Sequence, residues 1–190
     1  MNKTGLFAAV IFVAGMLLTP GHSQEMPKKG APKPAPSSSE AVIEQWNDIG
    51  RKLIAMAEDF PDDKYDFKAA PTTRSFAERL IHAAHGNQFF INALAGEKTP
   101  EMGDPKRDQF KTKAEVVGFV RKSFSDGAAA IKAKGDKGLS DLVVDPFSNE
   151  ETRVIDFAYG FVEHSGEIYG QLTVYYRVAG LVPPESRPKK

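Results

Sequence analysis

The chain has 190 residues, 25 basic side chains balanced by 25 acidic ones, and no cysteine. The lack of cysteine excludes disulfides, a catalytic thiol, thiolate metal ligands and a lipid-anchored cysteine at a cleavage site. Residues 39–182 carry 18 lysines and arginines against 23 aspartates and glutamates, a net charge of −5. That balance argues against nucleic acid as a partner, because phosphate binding needs a basic face.

In chain order, Lys3 precedes a run of 14 apolar or small residues, Gly5 to Leu18, which Pro20 and Gly21 break. Gly21-His22-Ser23 then offers small residues where a signal peptidase cleaves. This order predicts a secretory signal over 1–23. The run is short of the roughly 20 residues of a membrane span, so no span is expected after cleavage. An uncleaved N-terminal anchor is the alternative. The mature chain is expected to be exported, periplasmic or secreted. Residues 24–38, rich in Pro, Lys, Ala and Ser, bury too little apolar surface to offset ordering entropy and read as a disordered linker. The folded domain is expected over 39–188, with Pro183-Pro184 ending regular structure near Val182 and strapping the end of the domain.

Four helices are predicted from apolar stripes with start and stop signals. The first spans Ser39 to Asp59, with Val42, Trp46, Ile49, Leu53, Met56 and Phe60 at spacings of three and four, and stops at Pro61. The second spans Thr73 to Ala95. Ser75 and Glu78 have capping-box spacing there, Phe76, Leu80, Ala84, Ile91 and Leu94 form the stripe, and Gly96 is the C-cap. The third spans Lys113 to Ala133, opened by Thr112 and Glu115, striped by Val117, Val120, Phe124, Ala128 and Ile131, and closed by Gly135. The fourth spans Asn149 to Ala179, with a second Ser-x-x-Glu pair, Ser148 and Glu151, at its start. Its stripe is Val154, Phe157, Phe161, Ile168, Leu172, Tyr175 and Ala179. Leu142-Val143-Val144 is a brief extended stretch, and no segment alternates long enough for a half-buried strand. Four such helices bury their stripes against one another, which predicts an all-α, up-down four-helix bundle. The segments 60–72 and 96–110 exceed the usual length of bundle loops, and such loops are where sites tend to be built.

The residues with chemical promise are histidines. His22 falls in the signal. On a helical wheel His164 lies within about 60° of Phe157, Phe161 and Ile168, on the inward face, where a ring needs a hydrogen-bond partner or a metal. His82 lies roughly 150° from its helix's stripe, at a seam or exposed, and His85 shares its side one turn on. A His-x-x-His pair on one helix face is a weak metal signal, and two surface histidines are the plainer reading. There is no phosphate-binding glycine loop, no Gly-x-Gly-x-x-Gly and no Gly-x-Ser-x-Gly.

The segment RSFAERLIHAAHGNQFFINAL, Arg74 to Leu94, resembles the second helix of the DinB-like (YfiT-like) metalloproteins, with His82 at the position of their histidine. HSGEIYGQ, His164 to Gln171, resembles their fourth-helix motif, in which two histidines four apart precede Gly-Gln. The ending YYRVAGLVPPESRP resembles an exported subgroup. The resemblance implies a DinB/YfiT-like bundle holding one divalent ion, such as zinc, nickel or manganese, on three histidines, with open positions for water or substrate. Here His82 and His164 match, but the third position is Ile168, which ligates nothing. Glu167 and His85 are the conceivable substitutes. The expectation is therefore an exported DinB-like protein with a degenerate histidine site, taking an unidentified small molecule or envelope protein as partner. The alternative, also implied by the family, is a metal-dependent thiol S-transferase. Homodimerisation, common in that family, is compatible with either.

Overall fold

The computed structural model describes residues 32–188. The predicted signal, 1–23, and the linker as far as residue 31 lie outside the described residues. Four helices form the domain: α1 (Ser38–Asp59), α2 (Phe76–Ala95), α3 (Lys113–Gly138) and α4 (Val154–Val178). The expected all-α four-helix bundle is what the chain builds.

Local sequence sets the helix starts. Ser37, Ser75 and Thr112 each accept a hydrogen bond from the backbone N–H three residues on, while Glu40, Glu78 and Glu115 reach back to the cap backbone. Each pair satisfies two donors that a helix start would otherwise leave orphaned. The first helix thus begins at Ser38, inside the segment read as linker. Replacing Ser75, which is buried, by Ala is expected to lower unfolding free energy by about 1 kcal/mol. Urea denaturation at unchanged m-value checks this. Gly96 ends α2 at φ 67°, a conformation glycine adopts without a side-chain clash.

The fourth helix starts later than its sequence suggested. Leu142–Val144 (β1) and Glu151–Arg153 (β2) pair as an antiparallel hairpin, and α4 follows β2 directly. The Ser148–Glu151 capping box does not form. The Ser148 hydroxyl is taken by Asp145 and by the Glu150 N–H, and Asn149 sits at φ 59° in the turn. Asp145 also accepts the Phe147 N–H, and this fixes the loop that carries the Phe147 ring. Gly135, expected to close α3, instead forms a kink at φ 59°, with helical residues continuing to Gly138.

The core comprises the predicted stripes of α1 and α4 and most of those of α2 and α3, where Phe76, Leu80, Ala84, Val120, Phe124 and Ile131 are buried as expected. Phe90 rather than Ile91 is fully buried on α2, and Val116 rather than Val117 on α3. Helices α1 and α3 interlock through glycines. Trp46 of α1 lies on Gly127 of α3, and Phe124 of α3 lies on Gly50 of α1. The Trp46 indole N–H donates to the Phe124 carbonyl at 2.9 Å, between the rings of Phe90 and Phe124.

Pairings along the helices give their directions. Ser39 meets Asp136 and Glu58 meets Arg121, so α1 and α3 are antiparallel. Phe60 stacks on Phe76, and Trp46 lies against Phe90, so α1 and α2 are antiparallel as well. Phe76 meets Tyr175 and Phe90 meets Phe157, which sets α2 antiparallel to α4. The order is up, down, down, up rather than the expected up-down alternation, and α1 and α2 face each other across a diagonal. Parallel α2 and α3 cannot be joined by a tight turn. The chain must travel back roughly 30 Å, the length of a 20-residue helix, and that return path is the long segment Gly96–Thr112. No described helix is long and apolar enough to cross a membrane.

Candidate functional site

A cavity of about 640 Å³ opens between α2, α4, the hairpin and the return segment. Its apolar side is made by Phe89, Phe147, Phe157 and Phe161. Phe147, 58% exposed, is the outermost of these rings, 4.9 Å from Phe89 and 6.5 Å from Phe161 between centroids. The polar end carries His82, His85, His164, Asp104 and Arg74.

Antiparallel packing of α2 on α4 brings His82 and His164 together, their ring centroids 5.0 Å apart and their planes at 76°. His82 occupies the seam between the two helices with 26% of its side chain exposed. His164 has the edge of the Phe161 ring beside it. Its Nε2 would lie 3.5 Å from a Cβ at position 86, so Gly86 leaves the space in front of that ring open. Burial pushes His164 below the usual imidazole range, the nearby His82 adds to this, and the carboxylates of Glu167 and Asp104 oppose it more weakly. Burial likewise lowers His85, against a smaller opposing pull from Asp104. Both rings are therefore neutral at neutral pH, with a lone pair free to accept a proton or bind a cation.

Asp104 was not singled out in the sequence. Its Oδ1 lies 2.7 Å from His82 Nδ1 and 3.9 Å from His85 Nδ1, and its Oδ2 lies 2.9 Å from an Arg74 guanidinium nitrogen. It sits 22 residues beyond His82 in irregular chain, where no periodicity reports facing. The one available signal was the length of the segment that carries it.

Of the other candidates, His85 lines the same cavity, whereas Glu167 is exposed and lies outside its wall. Ile168 is 2% exposed in the core. Among the described residues no three His, Asp or Glu side chains converge closely enough to hold an ion as they stand. His82 and His164 are thus two nitrogen donors in one cavity wall, and Ile168, where the resemblance places a third histidine, is hydrocarbon buried in the core. Neutral imidazoles favour zinc, nickel or a similar borderline metal.

Residues 45–172 match the DinB superfamily. The fold is similar to a DinB-like protein of Bacillus cereus ATCC 10987, at 18% identity and a TM-score of 0.63, covering 76% of this chain and 95% of that one. It is also similar to YfiT from Bacillus subtilis, a probable metal-dependent hydrolase with an unusual four-helix bundle topology. That match has 16% identity and a TM-score of 0.58, over 80% of this chain and 95% of that one. A conserved protein of Enterococcus faecalis gives 14% identity and a TM-score of 0.54, over 77% and 99%. No curated protein matches the chain.

Proposed function

This chain belongs to the DinB superfamily, and we propose that it is an exported pocket protein whose His82–His164 pair binds a divalent cation weakly at the polar end of a small-molecule cavity. The observation that carries this reading is the 5.0 Å approach of two imidazoles in the wall of an aromatic cavity of about 640 Å³. Export rests on the signal pattern of residues 1–23. The four phenyl rings would take the apolar body of a ligand. The rings of His82 and His164 would each offer one nitrogen to the ion. Such an ion, when bound, supplies Lewis-acid polarisation of a water or a ligand oxygen. The similarity in fold to YfiT, a probable metal-dependent hydrolase, makes hydrolysis a chemistry to test here.

Zinc titration of the metal-free full chain by calorimetry is the direct test. Even partners outside the coordination sphere carry about 10–100-fold in affinity, so His164→Ala, which removes a ligand, should cost about a hundredfold. A parent that takes up no zinc, with His164→Ala indistinguishable from it, sinks the proposal.

A second reading, metal-dependent thiol S-transfer, draws on the aromatic cavity beside the histidines, which suits an apolar electrophile. Thiol-dependent conjugation of a chromogenic electrophile, with zinc or nickel added, distinguishes it, and no turnover under any metal removes it.

A further inference from the structure

Three polar side chains lining the cavity form a chain: Arg74 before α2, Asp104 on the return segment, and His82 on α2. Each carboxylate oxygen of Asp104 has its own partner, Oδ2 the Arg74 guanidinium at 2.9 Å and Oδ1 the His82 ring at 2.7 Å. The arrangement has a definite proton inventory. A carboxylate only accepts hydrogen bonds, so the ring nitrogen facing it, Nδ1, must be the one that carries hydrogen. In the neutral ring this leaves Nε2 as the lone-pair nitrogen, on the opposite edge from Asp104. His85 is too distant, at 3.9 Å, to share the oxygen. Arg74 restrains the second oxygen, so the carboxylate cannot easily rotate away from the imidazole.

We propose that Asp104 is a positioning residue that holds His82 as the Nδ1–H tautomer, so that its Nε2 lone pair is presented, with His164, to a divalent cation. Carboxylates that receive the second N–H of a metal-binding histidine fix ring orientation and raise ligand basicity. Here the partner comes from a segment outside the four helices, so neither helix motif of the family reveals it. The cation part rests on the function proposed above, whereas the tautomer does not.

Long-range 15N–1H correlation spectra of the imidazoles in the metal-free full chain test it. The spectra are taken at about pH 8, above the ordinary histidine pKa, where tautomers are resolved. The expected result is a protonated Nδ1 and an unprotonated Nε2 at His82, and a loss of this tautomer in Asp104→Ala. Zinc affinity in Asp104→Ala should fall about 10–100-fold. A parent spectrum with His82 protonated at Nε2 overturns the proposal without any variant. A tautomer unchanged in Asp104→Ala overturns it too, as does zinc bound equally by parent and variant. If the tautomer behaves as expected but the parent binds no zinc, the cation reading of the function fails, while the hold of Asp104 on His82 stands.

Discussion

Replacing Ile168 by His is expected to tighten zinc binding by about a hundredfold or more, the largest functional effect that a single substitution should produce in this chain. Position 168 is one helical turn from His164, and side chains four apart on a helix are neighbours. With His82 already 5.0 Å from His164 between ring centroids, a third imidazole would complete a three-nitrogen set with an open fourth position. The change has a cost. Ile168 is 2% exposed, and a buried imidazole without a partner loses about 1–3 kcal/mol. Stability and affinity should therefore move in opposite directions: a lower unfolding midpoint without metal, recovered when zinc is in excess. Calorimetric titration with paired thermal melts reads both. A parent that binds zinc as tightly as the variant would mean that the native site is not degenerate.

Gly127→Ala should be among the most destabilising small substitutions in the domain, by about 1–5 kcal/mol. A Cβ at this position would lie 2.0 Å from Trp46 Cζ2 and 2.6 Å from Cε2, distances no packed structure tolerates. The indole has nowhere to go. It is fully buried, flanked by Phe90 and Phe124, and bonded through Nε1 to the Phe124 carbonyl. Overpacking alone costs about 1–3 kcal/mol, and a displaced buried hydrogen bond adds about 1–3 more. Alanine's better helix propensity returns only about 1 kcal/mol, so sterics win. For a domain with roughly 5–15 kcal/mol in total, the loss is a large share. Chemical denaturation measures it, and a variant within 1 kcal/mol of the parent would show that α1 and α3 can slide apart. Trp46→Phe in the Gly127→Ala background should restore part of the loss by clearing the clash.

Much of the architecture was legible because helices announce themselves locally. Two of four starts were read from Ser or Thr followed by Glu at the third position, and the same signal at Ser37 and Glu40 was passed over because Ser37 falls in the stretch read as linker. The stripes of α1 and α4 were correct because their apolar residues recur with few ambiguities. The fourth start misled for a physical reason. Ser148-x-x-Glu151 has cap spacing, but Asp145 and Asn149 bend the same residues into a hairpin turn, and side-chain bonds within the turn decided the outcome. On α2 and α3 most of each stripe was right as well, and the misses at Ile91 and Val117 arose because Phe90 and Val116 beside them are equally apolar and are the ones buried. At the site, two helical histidines stood out by type and spacing. Glu167 had the right chemistry and the right helix but the wrong side of it. Asp104 was invisible for a deeper reason, because what it touches depends on helix directions, a tertiary fact that no window of sequence encodes.

The return path from α2 to α3 has one more implication. Residues 97–109 contribute nothing to the buried core, yet this stretch passes over the histidine seam and supplies the carboxylate that meets it. Rewriting these thirteen positions changes the surroundings of the imidazoles while the hydrophobic framework keeps its shape. Scaffold and reactivity are thus encoded in different parts of the chain, so a lineage or a designer can retune one without renegotiating the other.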